Sequence, residues 1–220
     1  MSLDAIGITA GYPGTSHVLQ DASLSVPAGE LVGLAGPSGS GKSTMARVLS
    51  LLLAPQAGTV TIDGSSVRGS GFGVPSDVRR QVAMLFQSPR SATDPRMTLQ
   101  AIIEQPAAIA GREIVARELA ARVGLTPDLL TRRPHQVSDG QLQRACVARA
   151  LAQEPKYLIC DEATAMLDAA TTASIMQLIR NEAEESGMGV LLISHDTELL
   201  NALCARVDDG VHTGTKCSTP

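Results

Sequence analysis

The chain has 220 residues without a break in composition and a formal net charge of −4, so one domain, or one domain with an inserted lobe, is expected, large enough to bury a substantial core. Lys and Arg are dispersed and the rings number only 2 Tyr, 2 Phe and 0 Trp, which argues against a basic face or a base-stacking surface for nucleic acid. The longest strongly apolar stretches, such as Val48 to Ala54 and Val190 to Ile193, fall far short of the roughly 20 residues needed to span a bilayer, and Met1-Ser2-Leu3-Asp4 shows no secretory pattern; the expected compartment is the cytoplasm, with any membrane role supplied through a partner.

In chain order, Leu19, Ala22, Leu24 and Val26 alternate imperfectly with polar residues, and Leu31-Val32-Gly33-Leu34-Ala35 is a short apolar run that enters a glycine-rich loop. Lys42 to Leu53 then places Met45, Val48, Leu49 and Leu52 at helical spacing, giving strand, loop, helix. Thr59-Val60-Thr61-Ile62 is closed by the hairpin-type turn Asp63-Gly64, so an antiparallel sheet is expected beside the glycine loop. Ser65 to Ser76, punctuated by Gly69, Gly71, Gly73 and Pro75, predicts a mobile surface loop.

From about Thr98 to Ala152 the pattern is helical, with Arg112 to Val123 ended by Gly124 and a further helix that begins after Ser138 and runs through Ala150. Alternation then returns: Tyr157-Leu158-Ile159-Cys160 and Val190-Leu191-Leu192-Ile193 read as buried strands, Ala169 to Glu185 as a helix, and another helix follows Asp196. The expectation is a mostly parallel α/β core carrying a helical lobe. Cys146, Cys160, Cys204 and Cys217 are widely spaced, without a Cys-x-x-Cys pair or a His cluster, and are expected to be reduced thiols.

Gly36-Pro37-Ser38-Gly39-Ser40-Gly41-Lys42-Ser43 matches the full phosphate-loop pattern, placed between a predicted strand and helix as that pattern requires. Glycines let successive backbone N–H groups face one concavity, and the following helix turns the positive end of its dipole toward the phosphates. Lys42 is expected at the β- and γ-phosphates and Ser43 on Mg2+. The strand from Tyr157 ends in Asp161-Glu162, where one carboxylate suits the metal and the other suits activation of water.

Val137-Ser138-Asp139-Gly140-Gln141, followed by Leu142-Gln143-Arg144, resembles the Leu-Ser-Gly-Gly-Gln signature of ABC ATPases. The resemblance covers nearly the whole chain and implies a P-loop NTPase (RecA-like) α/β core over about 1–88 and 153–220 with an antiparallel β subdomain, and a helical signature subdomain over about 89–152. It implies ATP held by Tyr12 against adenine, by Gly36 to Ser43 and Thr44, and by Gln87, Asp161, Glu162 and His195. Mg2+ falls to Ser43, Gln87 and Asp161; Glu162, His195, Gln87 and Lys42 are the catalytic candidates. Ser138, Gly140 and Gln141 would grip the γ-phosphate bound to a second ABC subunit, and Ala165-Met166-Leu167-Asp168 looks like the D-loop.

Two positions depart from the signature: Asp139 replaces its first Gly and Val137 its Leu. Asp139 is expected to point to solvent and be silent; were it to face phosphate, it would weaken hydrolysis or mark a non-hydrolysing regulatory half of a heterodimer. Phe86-Gln87-Ser88-Pro89-Arg90-Ser91-Ala92-Thr93-Asp94-Pro95 and Pro134-His135-Gln136 resemble importers of peptides and nickel, and Ala165-Met166-Leu167-Asp168 is closer to nickel or metal–chelate uptake subunits. The implied function is an ATPase on the cytoplasmic face of the membrane, working with transmembrane permease subunits and indirectly with a solute-binding protein. Soluble ABC ATPases of translation or chromosomes are the competing class, and a GTPase is disfavoured because no Asn-Lys-x-Asp element occurs.

Overall fold

The computed structural model describes residues 1–12, 14, 17–210, 212 and 213, the side chains of 72, 212 and 213 excepted. The first sheet contains β1 (Ser2–Ala10), β2 (Leu19–Pro27), β4 (Ala57–Ile62), β5 (Ser65–Val67) and β10 (His212–Thr213), in the antiparallel order β10-β2-β1-β4-β5. The second contains β3 (Leu31–Ala35), β6 (Val82–Leu85), β7 (Tyr157–Asp161), β8 (Gly189–Ile193) and β9 (Arg206–Asp209), all parallel in the order β6-β7-β8-β3-β9. The helices are α1 (Lys42–Leu49), α2 (Ser76–Arg79), α3 (Leu99–Ile109), α4 (Ala116–Arg122), α5 (Asp139–Leu151), α6 (Ala169–Ser186) and α7 (Thr197–Leu203).

The parallel sheet is buried on both faces, and its two-residue period sorts side chains between two cores. Leu158, Cys160, Val190 and Leu192 face a core completed by Leu99, Ile102 and Ile103 of α3, Leu142 and Ala145 of α5, and Ile175 and Ile179 of α6. Tyr157, Ile159, Leu191 and Ile193 face Met45 and Leu49 of α1 and the inner face of the antiparallel sheet, including Leu3, Ile8, Leu24 and Val60. The helical segment between β6 and β7 therefore shares its core with one face of the parallel sheet.

Several sequence expectations are corrected. The helix expected over Lys42 to Leu53 stops at Leu49: Ser50 returns its hydroxyl to Ala46 O at 2.7 Å, Leu51 takes a left-handed φ of 61°, and Leu52 turns outward at 48% exposure. The helix expected from Arg112 begins at Ala116, because Val115 is extended and the Arg112 guanidinium is tied to Ala152 O and Glu154. The expected mobile loop Ser65 to Ser76 holds β5 and a short helical turn at Gly71–Gly73, and it is anchored by buried Val74, by Gly71 N donating to Leu51 O and by Arg79 Nη1 donating to Gly71 O. Cys146, Cys160 and Cys204 are free thiols, Cys160 raised well above the ordinary thiol range by burial; Cys217 lies outside the described residues.

Candidate active site

β3 runs straight into the glycine loop and α1. Gly41 takes a φ of 94°, and a Cβ there would meet Leu19 Cδ2 at 2.5 Å, so this turn into the helix accepts only glycine. The buried Lys42 bends back over the loop and donates from Nζ to Gly36 O at 2.7 Å and Pro37 O at 2.8 Å. Ser40 Oγ is buried without a hydrogen-bond partner in the chain, an orphan hydroxyl of the kind a phosphate oxygen satisfies.

Ser43, at the start of α1, donates from Oγ to Asp161 Oδ1 at 3.0 Å across 118 residues of sequence. Burial raises the Asp161 carboxyl above the usual range; the Ser43 hydrogen bond opposes this and the neighbouring Glu162 charge adds to it. Among the described residues no three His, Cys, Asp or Glu side chains gather into a metal cluster. A hydroxyl beside a carboxylate is nevertheless the oxygen set that suits Mg2+ when substrate phosphates and water complete the shell.

Immediately after β7, Glu162 adopts a φ of 50°, with its N–H held by Ile193 O at 3.1 Å. Its carboxylate accepts from Gln87 Nε2 at 3.1 Å through Oε2 and lies 2.5 Å from His195 Nε2 through Oε1. Ser43 with Asp161, and Gln87 and His195 with Glu162, are thus joined by direct contacts at the C-terminal ends of β3, β6, β7 and β8, and Lys42 lies beside them, held by the carbonyls of the glycine loop. Gln87 reaches Glu162 through its amide nitrogen, and no contact of its side chain with Ser43 or Asp161 is seen.

Tyr12 is half-buried, and its hydroxyl accepts from Arg47 Nη1 at 2.7 Å while the guanidinium lies 5.6 Å from the ring centre. Arg47, on the phosphate-loop helix, was not among the sequence candidates; it lies five residues beyond Lys42, but the fold brings it to the ring from 35 residues away.

The signature residues do not join this cluster within the chain. Ser138 caps α5 by accepting from Gln141 N at 3.2 Å, and Gln141 Oε1 accepts from Ser138 N at 3.0 Å. Gln141 is therefore engaged in a capping box. Gly140 packs so closely on α6 that a Cβ would meet Thr171 Cγ2 at 2.8 Å, and Asp168 caps α6 through Thr171 N and Oγ1. The expectation that Asp139 points freely to solvent is corrected: its Oδ1 lies 2.7 Å from Arg90 Nε, close enough for an ion pair though off the line of a hydrogen bond, with the two side chains about half exposed.

A parallel sheet that feeds one strand into a glycine loop and helix, and ends another in a carboxylate pair beside that helix, defines the phosphate-loop class of nucleotide-binding domains. The family model described as "ABC transporter" matches residues 19–165, more than half of the chain and inclusive of the loop, Gln87, the signature and Glu162. The chain belongs to the ABC transporter family, as an ATP-binding domain.

Among curated relatives, the "Probable peptide ABC transporter ATP-binding protein y4tS" of Sinorhizobium fredii is 36% identical over 210 residues, covering 91% of this chain and 60% of its own length. The "Methionine import ATP-binding protein MetN" of Cupriavidus necator is 38% identical over 209 residues, with 91% and 60% covered. The "Nickel import ATP-binding protein NikE" of Escherichia coli O157:H7 is 39% identical over 196 residues, with 86% and 73% covered. The chain thus spans about three fifths of the length of the first two. The ATP-binding cassette MJ0796, solved as a dimer in a post-hydrolysis state bound to ADP and Pi, superposes with a TM-score of 0.85 at 29% identity, covering 96% of this chain and 94% of its own. The cbiO1 structure from Clostridium perfringens, at 24% identity and a TM-score of 0.81, shares the fold.

Proposed function

We infer that this chain binds and hydrolyses ATP with Mg2+ as the motor subunit of a membrane importer, acting as one half of a dimer that closes around two nucleotides. The observation that carries this reading is the Glu162 carboxylate, held between Gln87 and His195 one residue beyond the Ser43–Asp161 contact. Ser43 and Asp161 would hold Mg2+, which neutralises charge on the transferring phosphoryl group when bound. Lys42 exchanges the loop carbonyls for phosphate oxygens, the orphan hydroxyl of Ser40 faces the same loop, and Tyr12 with Arg47 behind it receives the adenine ring. Glu162 takes the proton of the attacking water, His195 and Gln87 fix its orientation, and ADP with phosphate is released.

Ser138 at the head of α5 is the second half of the phosphate grip, offered to the partner's nucleotide. We assign residues of about 1–88 and 153–220 to the catalytic core and β subdomain, and about 89–152 to the helical subdomain. The permease subunits would contact a cavity of about 330 Å3 between these parts, lined by Leu52, Met84, Phe86, Pro106 and Ile109 among others. Leu52 and Ile109 there are exposed at 48% and 76%, in keeping with a surface covered by a partner. No helix among the described residues is long and apolar enough to cross a membrane, and we place the chain at the cytoplasmic face, held by those permease subunits. The names of the relatives point to peptide, methionine or nickel as the class of solute, delivered by a solute-binding protein.

The Arg90–Asp139 ion pair favours a hydrolysing subunit over a regulatory one, since it neutralises the one unusual charge of the signature. The direct test is steady-state phosphate release by the purified chain with Mg2+ and ATP. Lys42→Ala is expected to reduce turnover at least a hundredfold and to weaken nucleotide binding, because a buried cation facing several phosphate charges is removed. Turnover unchanged by that substitution overturns the assigned site.

A further inference from the structure

We propose that Arg90 is the positioning residue of the signature turn, and that Asp139 is its dedicated charge partner, so that this chain orients Ser138 by an ion pair where the family pattern has glycine. The proposal rests on the reading of Ser138 as a phosphate grip.

The guanidinium of Arg90 spends each of its three nitrogens on residues 134–139. Nη1 donates to Pro134 O at 2.9 Å, Nη2 donates to Val137 O at 3.2 Å, and Nε lies 2.7 Å from Asp139 Oδ1. These acceptors bracket Ser138 on both sides. Fixing the Val137 carbonyl fixes the peptide plane that leads into Ser138, and fixing Asp139 fixes the first residue of α5. A planar fork with donors in set directions can do this, whereas a lysine ammonium cannot.

The pair is about half exposed on both partners, and an ion pair that open contributes little to stability. Its effect is therefore on orientation and charge. Asp139 stands in the first turn of α5, where the helix dipole already welcomes a carboxylate. The same place is where an incoming phosphate would be received, so an unpaired Asp139 would repel it. Arg90 cancels that charge and, three residues after Gln87, sits on a segment that α5 grips a second time through Arg149 Nη1 donating to Ala92 O at 2.6 Å.

The test uses the full chain with Glu162→Gln, to arrest turnover, and follows Mg-ATP-dependent dimerisation by light scattering alongside Arg90→Ala, Arg90→Lys, Asp139→Gly and the double change Arg90→Ala with Asp139→Gly. Arg90→Ala is expected to weaken the dimer at least tenfold while binding of a fluorescent ATP analogue to the monomer stays within twofold. The double change should recover at least threefold of that loss, since the unpaired carboxylate is gone, and Arg90→Lys should recover less than the double change. Hydrogen exchange of nucleotide-free protein supplies a second readout: peptides covering 134–141 should exchange several-fold faster in Arg90→Ala, with Tm nearly unchanged. A dimer unaffected by Arg90→Ala, or a double change no better than Arg90→Ala alone, overturns the proposal. If the Glu162→Gln parent binds ATP yet never dimerises, the grip reading fails and takes the proposal with it, whereas a dimerising parent indifferent to Arg90 sinks the proposal alone.

Discussion

Glu162→Gln keeps the shape of the side chain and removes its basicity, so it separates binding from chemistry. In the native chain the carboxylate faces two donors, Gln87 Nε2 at 3.1 Å and His195 Nε2 at 2.5 Å. The amide offers one acceptor to the pair, and the other contact survives only if its partner presents an acceptor, Gln87 by turning its own amide or His195 by changing tautomer. Exchanging charge-assisted hydrogen bonds for neutral ones costs about 1–2 kcal/mol across this network, too little to unfold the site. Loss of the general base costs about a hundred- to ten-thousandfold in rate, or about 3–5 kcal/mol in the barrier. The second figure dominates, so kcat should fall by that factor while the ATP dissociation constant moves less than about tenfold. Phosphate release under saturating Mg-ATP measures the first and equilibrium nucleotide binding the second; light scattering with ATP, and with ADP as control, should show the arrested protein accumulating as a dimer. Adding Ser138→Arg should abolish that dimer by filling the second half of the grip. A kcat above a tenth of the native value refutes the assignment of Glu162 as base.

Arg47→Ala removes both the 2.7 Å hydrogen bond to the Tyr12 hydroxyl and the cation above the ring; the apparent KM for ATP should rise about three- to tenfold with kcat within twofold, and Tyr12→Ala should act in the same sense. A fall in kcat at constant KM would remove Tyr12 and Arg47 from the adenine site. Asp168 is held below the usual carboxylate range first by the Thr171 hydroxyl and then by Thr171 N. A depressed folded pKa means that this stabilisation is present above the unfolded value and is lost as pH falls through the folded one. Asp168→Ala should therefore lower Tm at pH 7, and the gap should close as the pH is taken below about 4; a gap independent of pH would show that the cap works without its charge.

The segments proposed to carry the chemistry were legible because their residue types are constrained by local geometry: glycines before Lys42, an apolar run ending in Asp161-Glu162, a Ser-x-x-Gln cap at Ser138. What escaped was set by neighbours distant in sequence. β1 was not visible because its buried set changes phase, Leu3 and Ala5 before an irregularity in register and Ile8 and Ala10 after it. β9 reads as a charged run, Arg206-Val207-Asp208-Asp209, since it lies at the sheet edge and is only half-buried. Leu52 continued the apolar spacing of α1 but belongs to an exposed cavity rim. Arg47 carried no signal, and Arg90 was visible only as one letter of the segment from Phe86 to Pro95, because a surface arginine acquires a role only through the ring or carbonyls that the fold brings to it.

The order of strands explains why six residues scattered over more than 150 positions form one site. β6, β7 and β8 are consecutive neighbours, with β3 beside β8, and all four are parallel, so their C-terminal ends emerge on one edge. Gln87 lies two residues past β6, Glu162 one past β7 and His195 two past β8, and the central residue receives both flanking side chains. To sit there Glu162 must leave the strand through a left-handed conformation, φ 50°, which costs a non-glycine residue on the order of 1–3 kcal/mol. The buried Asp161 immediately before it, with its carboxyl raised by desolvation, is a second unfavourable placement. Two adjacent residues that each oppose stability, held in place by a sheet buried on both faces, fit the proposed roles of their carboxylates, with Asp161 toward Mg2+ and Glu162 toward water; the apolar strands around them supply the stability that lets them stay.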